Sequence, residues 1–232
     1  MSHLWLGFKD FFRLVGLFFK VKWSYFIDYC HTVFRYYGNR AFLKADTYLL
    51  LSYLFDNPYR ICSRFQRLRS KEDPYTFGET PLTTLEEIAN RCALSSEDLV
   101  FELGCGRGRT CFWLHFFTGC RVVGIDQVPA FIQRAQKVKN RYAIEGVSFR
   151  EEDILSADLR GATLIYLYGT CYPSSFIRQL ARHLAKLPSG TRIISVSYPL
   201  TYYQKQPDFV LHSHFPARFT WGTAQVYLQI RR

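Results

Sequence analysis

From residue 99 onward the chain alternates short apolar runs with segments of helical period. Residues 99–103 (LVFEL) predict a strand that runs into a glycine-rich turn, and 110–117 follow as a helix. Residues 120–126 predict a second strand, 128–142 a helix, and 147–150 a third strand after Gly146. The run 162–167 reads as a continuous apolar strand, as expected in the middle of a parallel sheet. Ser174 or Ser175 is placed to cap a helix reaching 186. Pro188-Ser189-Gly190 then turns the chain into a strand at 192–198, and 209–214 and 225–230 predict two closing strands. Strands and helices in this alternation predict an α/β fold, a doubly wound sheet of seven strands.

Residues 1–70 carry a different pattern. Residues 4–21 have helical period. Lys9, Arg13, Gly16 and Lys20 share one narrow stripe, with Trp5, Phe8, Phe11, Phe12, Val15, Phe18 and Phe19 on a wide face beside it. Helical segments continue through 25–35 and 40–55, and Asp56-Asn57-Pro58 breaks them. A short basic helix follows at 59–70, with Arg60, Arg64, Arg67 and Arg69 at near-helical spacing. Lys71-Glu72-Asp73-Pro74 reads as a polar hinge, which divides the chain into a helical extension, 1–73, and a main domain, 74–232. After a loop at 75–81, Thr83 or Thr84 is placed to cap a helix to about 92, with Glu86 and Glu87 in its first turn. Residues 95–98 turn into the first strand.

The longest uncharged run near the start, 14–19, is far too short to span a bilayer, and no small-residue cleavage site follows it. The aromatic face with its basic stripe suits a helix lying in a membrane interface; it equally suits one packed on the main domain. Composition sharpens this choice without deciding it. Aromatic residues make up 18% of the chain, and most of the net charge of +11 lies in the extension. That balance favours anionic partners: nucleic acid, a phospholipid surface or an acidic protein. Seven cysteines, an odd number with no C-x-x-C pair, read as reduced, mostly buried thiols of a cytoplasmic protein. His212 and His214 read as a polar strand face rather than metal ligands.

The chemistry concentrates at Glu102-Leu103-Gly104-Cys105-Gly106-Arg107-Gly108-Arg109. A strand that feeds a helix through glycines can take a nucleotide-like ligand at the helix N-terminus. The spacing is G-x-G-x-G, with Arg109 where a dinucleotide fingerprint places its last glycine, and no P-loop sequence occurs. Glu102 beside the loop disfavours a pyrophosphate and suits a ligand with an ammonium group. Asp126 ends the next strand at the distance expected of a ribose-binding carboxylate.

This loop resembles motif I of the class I S-adenosylmethionine (SAM) methyltransferases. The resemblance implies SAM as cofactor, with Glu102 toward its methionine end and Gly104, Gly106 and Gly108 under it. It also implies Asp126 and Gln127 at the ribose, and Asp153 and Ile154 at the adenine. A narrower resemblance rests on the order of Tyr75–Pro81, Asp98–Gly108, Gly124–Asp126, Glu152–Ser156 and Gly190–Ser195. It is to the disruptor-of-telomeric-silencing type of lysine methyltransferase, and to its looser relatives that methylate the ATP synthase c-ring. It covers about residues 74–200 and implies that Phe77, Glu79 and Thr80 lie over the cofactor. That family's Asn-Asn-Phe motif is replaced here by Tyr168-Gly169-Thr170, which opens the question of the acceptor.

Tyr168, Thr170 and Tyr172 follow the fourth strand, where open α/β sheets place their chemistry, and are the catalytic candidates. Phe77, Tyr168 and Tyr172 are candidates for an aromatic channel that favours a neutral amine; Tyr166 and Tyr198 could join it, but ordinary core packing is the favoured reading for those two. The expected activity is methyl transfer to an amine, a protein lysine, in the cytoplasm and in one variant at the inner face of a membrane. A lipid, quinone or other apolar acceptor at a membrane is a second reading. A non-catalytic nucleic-acid- or membrane-binding module is a third, and an NAD oxidoreductase a distant fourth.

Overall fold

The computed structural model describes residues 15–16, 23, 26–68, 77–170, 172–203 and 208–232. The predicted helix 4–21, apart from its helical residues 15 and 16, and the hinge at 71–74 lie outside the described residues. Residues 26–36 are helical and are labelled α1. They are followed by α2 (Arg40–Leu51), α3 (Pro58–Leu68) and α4 (Leu82–Arg91). The alternating part then runs β1 (Leu99–Leu103), α5 (Arg109–Thr118), β2 (Arg121–Asp126), α6 (Pro129–Tyr142), β3 (Val147–Glu151), β4 (Leu164–Leu167), α7 (Ser174–Leu184) and β5 (Arg192–Val196). A 3-10 turn at Leu200–Tyr203 leads to β6 (Phe209–Phe219) and β7 (Gly222–Arg231).

The seven strands form one sheet in the order β3-β2-β1-β4-β5-β7-β6. β1 to β5 are parallel; β7 runs antiparallel to β5, and β6 antiparallel to β7. Strand order reverses between β1 and β4, so a crevice opens where the chain leaves their carboxyl ends in opposite directions. All four residues of β4 are buried, as a central parallel strand requires.

Each face of the sheet carries its own hydrophobic core. On one, α7 packs Ile177, Leu180, Ala181 and Leu184 against Phe101, Leu103, Ile165 and Ile193. On the other, Phe112 and Trp113 of α5 and Phe131 of α6 pack with Val100 and Tyr166. Tyr36, Phe42, Ala45, Leu49 and Ile61 of the extension belong to this same core. Over its described residues, then, the extension packs on the main domain. The rings interlock: Tyr36 meets Trp113 edge-on at 5.6 Å, and Phe42 meets Phe117 at 5.2 Å.

Several local expectations are corrected. α2 stops at Leu51 rather than near 55, where the Ser52 hydroxyl donates to the Leu49 carbonyl at 2.6 Å. α4 starts directly after Pro81 and has no side-chain cap. Thr84 is turned to the Arg218 carbonyl instead. Glu86 accepts from the Tyr36 hydroxyl (2.8 Å) and pairs with Arg35 (2.6 Å), so it bonds the extension rather than its own helix terminus. α7 begins at Ser174 itself with Pro173 at its cap position, so neither Ser174 nor Ser175 caps it. The closing strands extend well past the predicted 209–214 and 225–230, because their hairpin continues the ladder to the Phe219–Gly222 pair.

Candidate active site

The glycine loop joins β1 to α5 at the crevice. Gly104 (φ +80°) and Gly106 (φ +52°) adopt a left-handed backbone that L side chains rarely take. A Cβ on Gly104 would lie 2.8 Å from the Tyr172 hydroxyl, and one on Gly106 3.1 Å from the Phe77 ring. Bare backbone is therefore what the loop offers to the cavity above it.

Asp126 stitches this loop to the end of β2. One carboxylate oxygen accepts from the Gly106 N–H (2.8 Å) and the other from the Val128 N–H (2.9 Å). Burial pushes its pKa up to about 6, against the opposing effect of these backbone donors. Each oxygen has a further lone pair, so the group can still accept from ligand hydroxyls.

A cavity lies over the crevice. Gly104, Gly106, Asp126 and Gln127 line it from β1 and β2. Asp153 and Ile154 enter from the end of β3; Tyr168, Thr170 and Tyr172 enter from the end of β4, and Phe77 from the loop before α4. The Asp153 carboxylate accepts from the Leu155 N–H at 3.0 Å, which fixes the turn after β3. The structure thus brings together ten of the residues singled out in the sequence.

Four others stand elsewhere. Glu102 does not reach the cavity. It shares a sheet face with Val100, the face that α5 covers, so its oxygens accept from Thr110 (2.5 Å) and Cys111 (3.0 Å). Burial pushes its pKa up to about 7. Gly108 is the N-cap of α5, packed under the Phe149 ring. Glu79 forms an ion pair with Arg107 of the glycine loop, which ties the loop before α4 to the crevice. Thr80 is buried against the Tyr166 hydroxyl at 2.5 Å. Tyr166 is therefore a core residue, and Tyr198, 54% exposed, lies outside the cavity.

Sequence reasoning missed Cys62 and Phe65 of α3, Phe131 of α6 and Phe176 of α7, all of which line the cavity. For α3 the signal was present: Ile61, Cys62 and Phe65 recur on the face opposite Arg60, Arg64 and Arg67. It also missed that Arg109 forms a buried bidentate pair with Asp46 of α2, at 2.7 and 2.8 Å. Asp46 accepts from the Tyr37 hydroxyl as well, at 3.0 Å. The residue that departs from a dinucleotide fingerprint is thus the one that locks the extension onto the loop helix.

The family model for the ANTKMT methyltransferase domain matches residues 102–207. An RNA methyltransferase from Salinibacter ruber, solved with S-adenosyl-L-homocysteine, is 22% identical with a TM-score of 0.55, over 66% of this chain and 93% of that one. Magnesium protoporphyrin IX methyltransferase from Synechocystis PCC 6803, solved with bound SAM, is 17% identical with a TM-score of 0.53, over 78% of this chain and 94% of that one. Sterol 24-C-methyltransferase of Eremothecium gossypii is 32% identical over 93 residues, 38% of this chain and 25% of that protein. The chain spans about a quarter of the length of the curated relatives it matches. Among the described residues, no helix is long and apolar enough to cross a membrane. The fold is that of the class I methyltransferases, and the sequence match to the ANTKMT methyltransferase domain runs from the glycine loop to beyond the fifth strand.

Proposed function

We propose that the protein transfers the methyl group of SAM to an amine, the side chain of a protein lysine. The observation that carries this reading is the shared cavity. The bare glycine loop and Asp126 form one side of it, and the aromatic residues after β4 form another. The ANTKMT match supports lysine as acceptor.

The cavity suits the cofactor in donor chemistry. Asp126 would accept from the ribose hydroxyls with Gln127 beside it. Asp153 and Ile154 would hold the adenine, and Gly104 and Gly106 would let the backbone approach the ligand. When bound, SAM supplies an activated methyl carbon: the amine lone pair forms the N–C bond as the C–S bond breaks toward sulfur, leaving a methylammonium and S-adenosylhomocysteine. Tyr168, Thr170 and Tyr172 would align the acceptor, and the two tyrosine rings would exclude water. An aromatic wall disfavours the ammonium form, so the acceptor gives its proton to solvent before attack.

A second reading, an apolar acceptor taken from a membrane face, draws on Leu51, Leu54 and Phe55. These are exposed by 61%, 67% and 92%, and they precede the basic helix α3 in the chain. Methyl-labelled SAM, the pure protein and a cell extract separate the two. Label in the protein fraction, recovered as methyllysine after hydrolysis, is expected. Label confined to the lipid fraction overturns the lysine reading in favour of the second.

A further inference from the structure

A second cavity meets the first at Phe77, Gly78 and Tyr168. The extension builds much of it: Asp28 and Tyr29 of α1, Leu50 of α2, and Pro58 and Tyr59 of α3. The β6–β7 turn adds Thr220 and Trp221. The Trp221 indole N–H donates to the Tyr168 hydroxyl at 2.6 Å, so the ring at the junction is held from this outer side. A Cβ on Gly78 would collide with the same Tyr168 ring, at 2.5 Å. The passage between the cavities is therefore defined by Tyr168 against a bare backbone.

Four charged residues line the outer cavity: Asp28, Glu79, Arg107 and Arg109. Glu79 and Arg107 neutralise each other, and Arg109 is committed to the buried Asp46. Asp28 remains. Among the described residues it forms no ion pair and no hydrogen bond; burial and, less strongly, Glu79 raise its pKa from the ordinary aspartate value, with Arg109 and His31 opposing. An uncompensated, part-buried carboxylate gains from a cation brought to it. Tyr29, Tyr59 and Trp221 line the same cavity, and the faces of their rings also attract cations. The chain as a whole carries +11, so a cationic acceptor is repelled at long range and needs a local carboxylate to enter.

We propose that this outer cavity is the acceptor's entrance. It selects a cationic side chain of a protein, with Asp28 as the specificity-determining carboxylate and Trp221 as the residue that positions Tyr168. The inference rests on the amine-acceptor reading above and extends it: the charged form is selected outside, and the neutral amine reacts inside.

The test is an NMR titration of the full chain loaded with S-adenosylhomocysteine. The probe is Nα-acetyl-lysine methylamide, and the signal is the Trp221 indole N–H, assigned with Trp221→Phe. A saturable shift is expected. Affinity should fall about ten-fold or more in Asp28→Asn, and likewise when the probe's ε-amine is acetylated, as loss of one charge-assisted contact implies. No saturable shift, equal affinity in Asp28→Asn, or equal affinity for the acetylated probe each overturns the proposal. Exchange of S-adenosylhomocysteine for SAM in the same samples separates the two levels. Binding without methyllysine leaves the cation site standing and overturns lysine as methyl acceptor. Methyllysine formed at the wild-type rate by Asp28→Asn overturns the entrance and leaves that acceptor standing.

Discussion

Residues 99–203 and residues 26–68 pack into one hydrophobic core, yet they reach the cavities by different means. The sheet contributes main chain: left-handed glycines, N–H groups tied to Asp126, and strand ends that leave a crevice. The extension contributes side chains: Asp28, Tyr29 and Tyr59 outside, and Cys62 and Phe65 inside. Main-chain geometry suits a cofactor shared by many enzymes. Side chains on an added layer can be changed without disturbing the sheet, which suits an acceptor peculiar to one enzyme.

The junction between the two regions is the Arg109–Asp46 pair, and breaking it tests the contrast most severely. Asp46→Ala leaves a buried guanidinium without a partner, which costs about 3–5 kcal/mol of stability. Denaturant unfolding of the variant checks this. A loss within experimental error of zero would mean that the extension is not held to the loop helix by this pair.

The cofactor side is probed by Asp126→Ala, which removes the acceptor proposed for the ribose. SAM affinity, read by calorimetry, should drop by about 1–3 kcal/mol. In the wild type, affinity should weaken as pH falls through about 6, because protonation removes the acceptor the hydroxyls use. A flat profile across that range would place the ribose elsewhere.

The smallest effect belongs to Glu102, which lies beneath the loop. Its folded pKa, about 7, stands above the ordinary carboxylate value of 4.5, so the native state binds more protons between those pH values. Stability should therefore decline as pH rises from about 4.5 through about 7. Glu102→Gln, which keeps hydrogen-bonding oxygen but cannot ionise, should flatten that part of the stability profile. An unchanged slope would assign the pH dependence to other groups.

The paired carboxylates Glu102 and Asp126 show how far the sequence could be read. Both were recognisable as acidic positions at the ends of predicted strands. Asp126 lies at the strand terminus, where the chain turns and its side chain meets the loop's N–H groups. Glu102 lies one residue inside β1, and the two-residue period of the strand turns it under α5. A motif records which residues are present; the pleat decides which way each one points.

The amino-acid sequence by itself determined the alternation of strands and helices, the doubly wound class, the glycine loop and its second acidic partner. These are set by local periodicity and by backbone freedom within a few residues of each other. Tertiary structure alone decided the rest. It bonded Trp221 to Tyr168 across 53 positions and Arg109 to Asp46 across 63, and it set Asp28 in a cavity beside both. Such contacts depend on which helix face and which sheet edge the packing brings together, and that is a property of the buried core rather than of any stretch of chain.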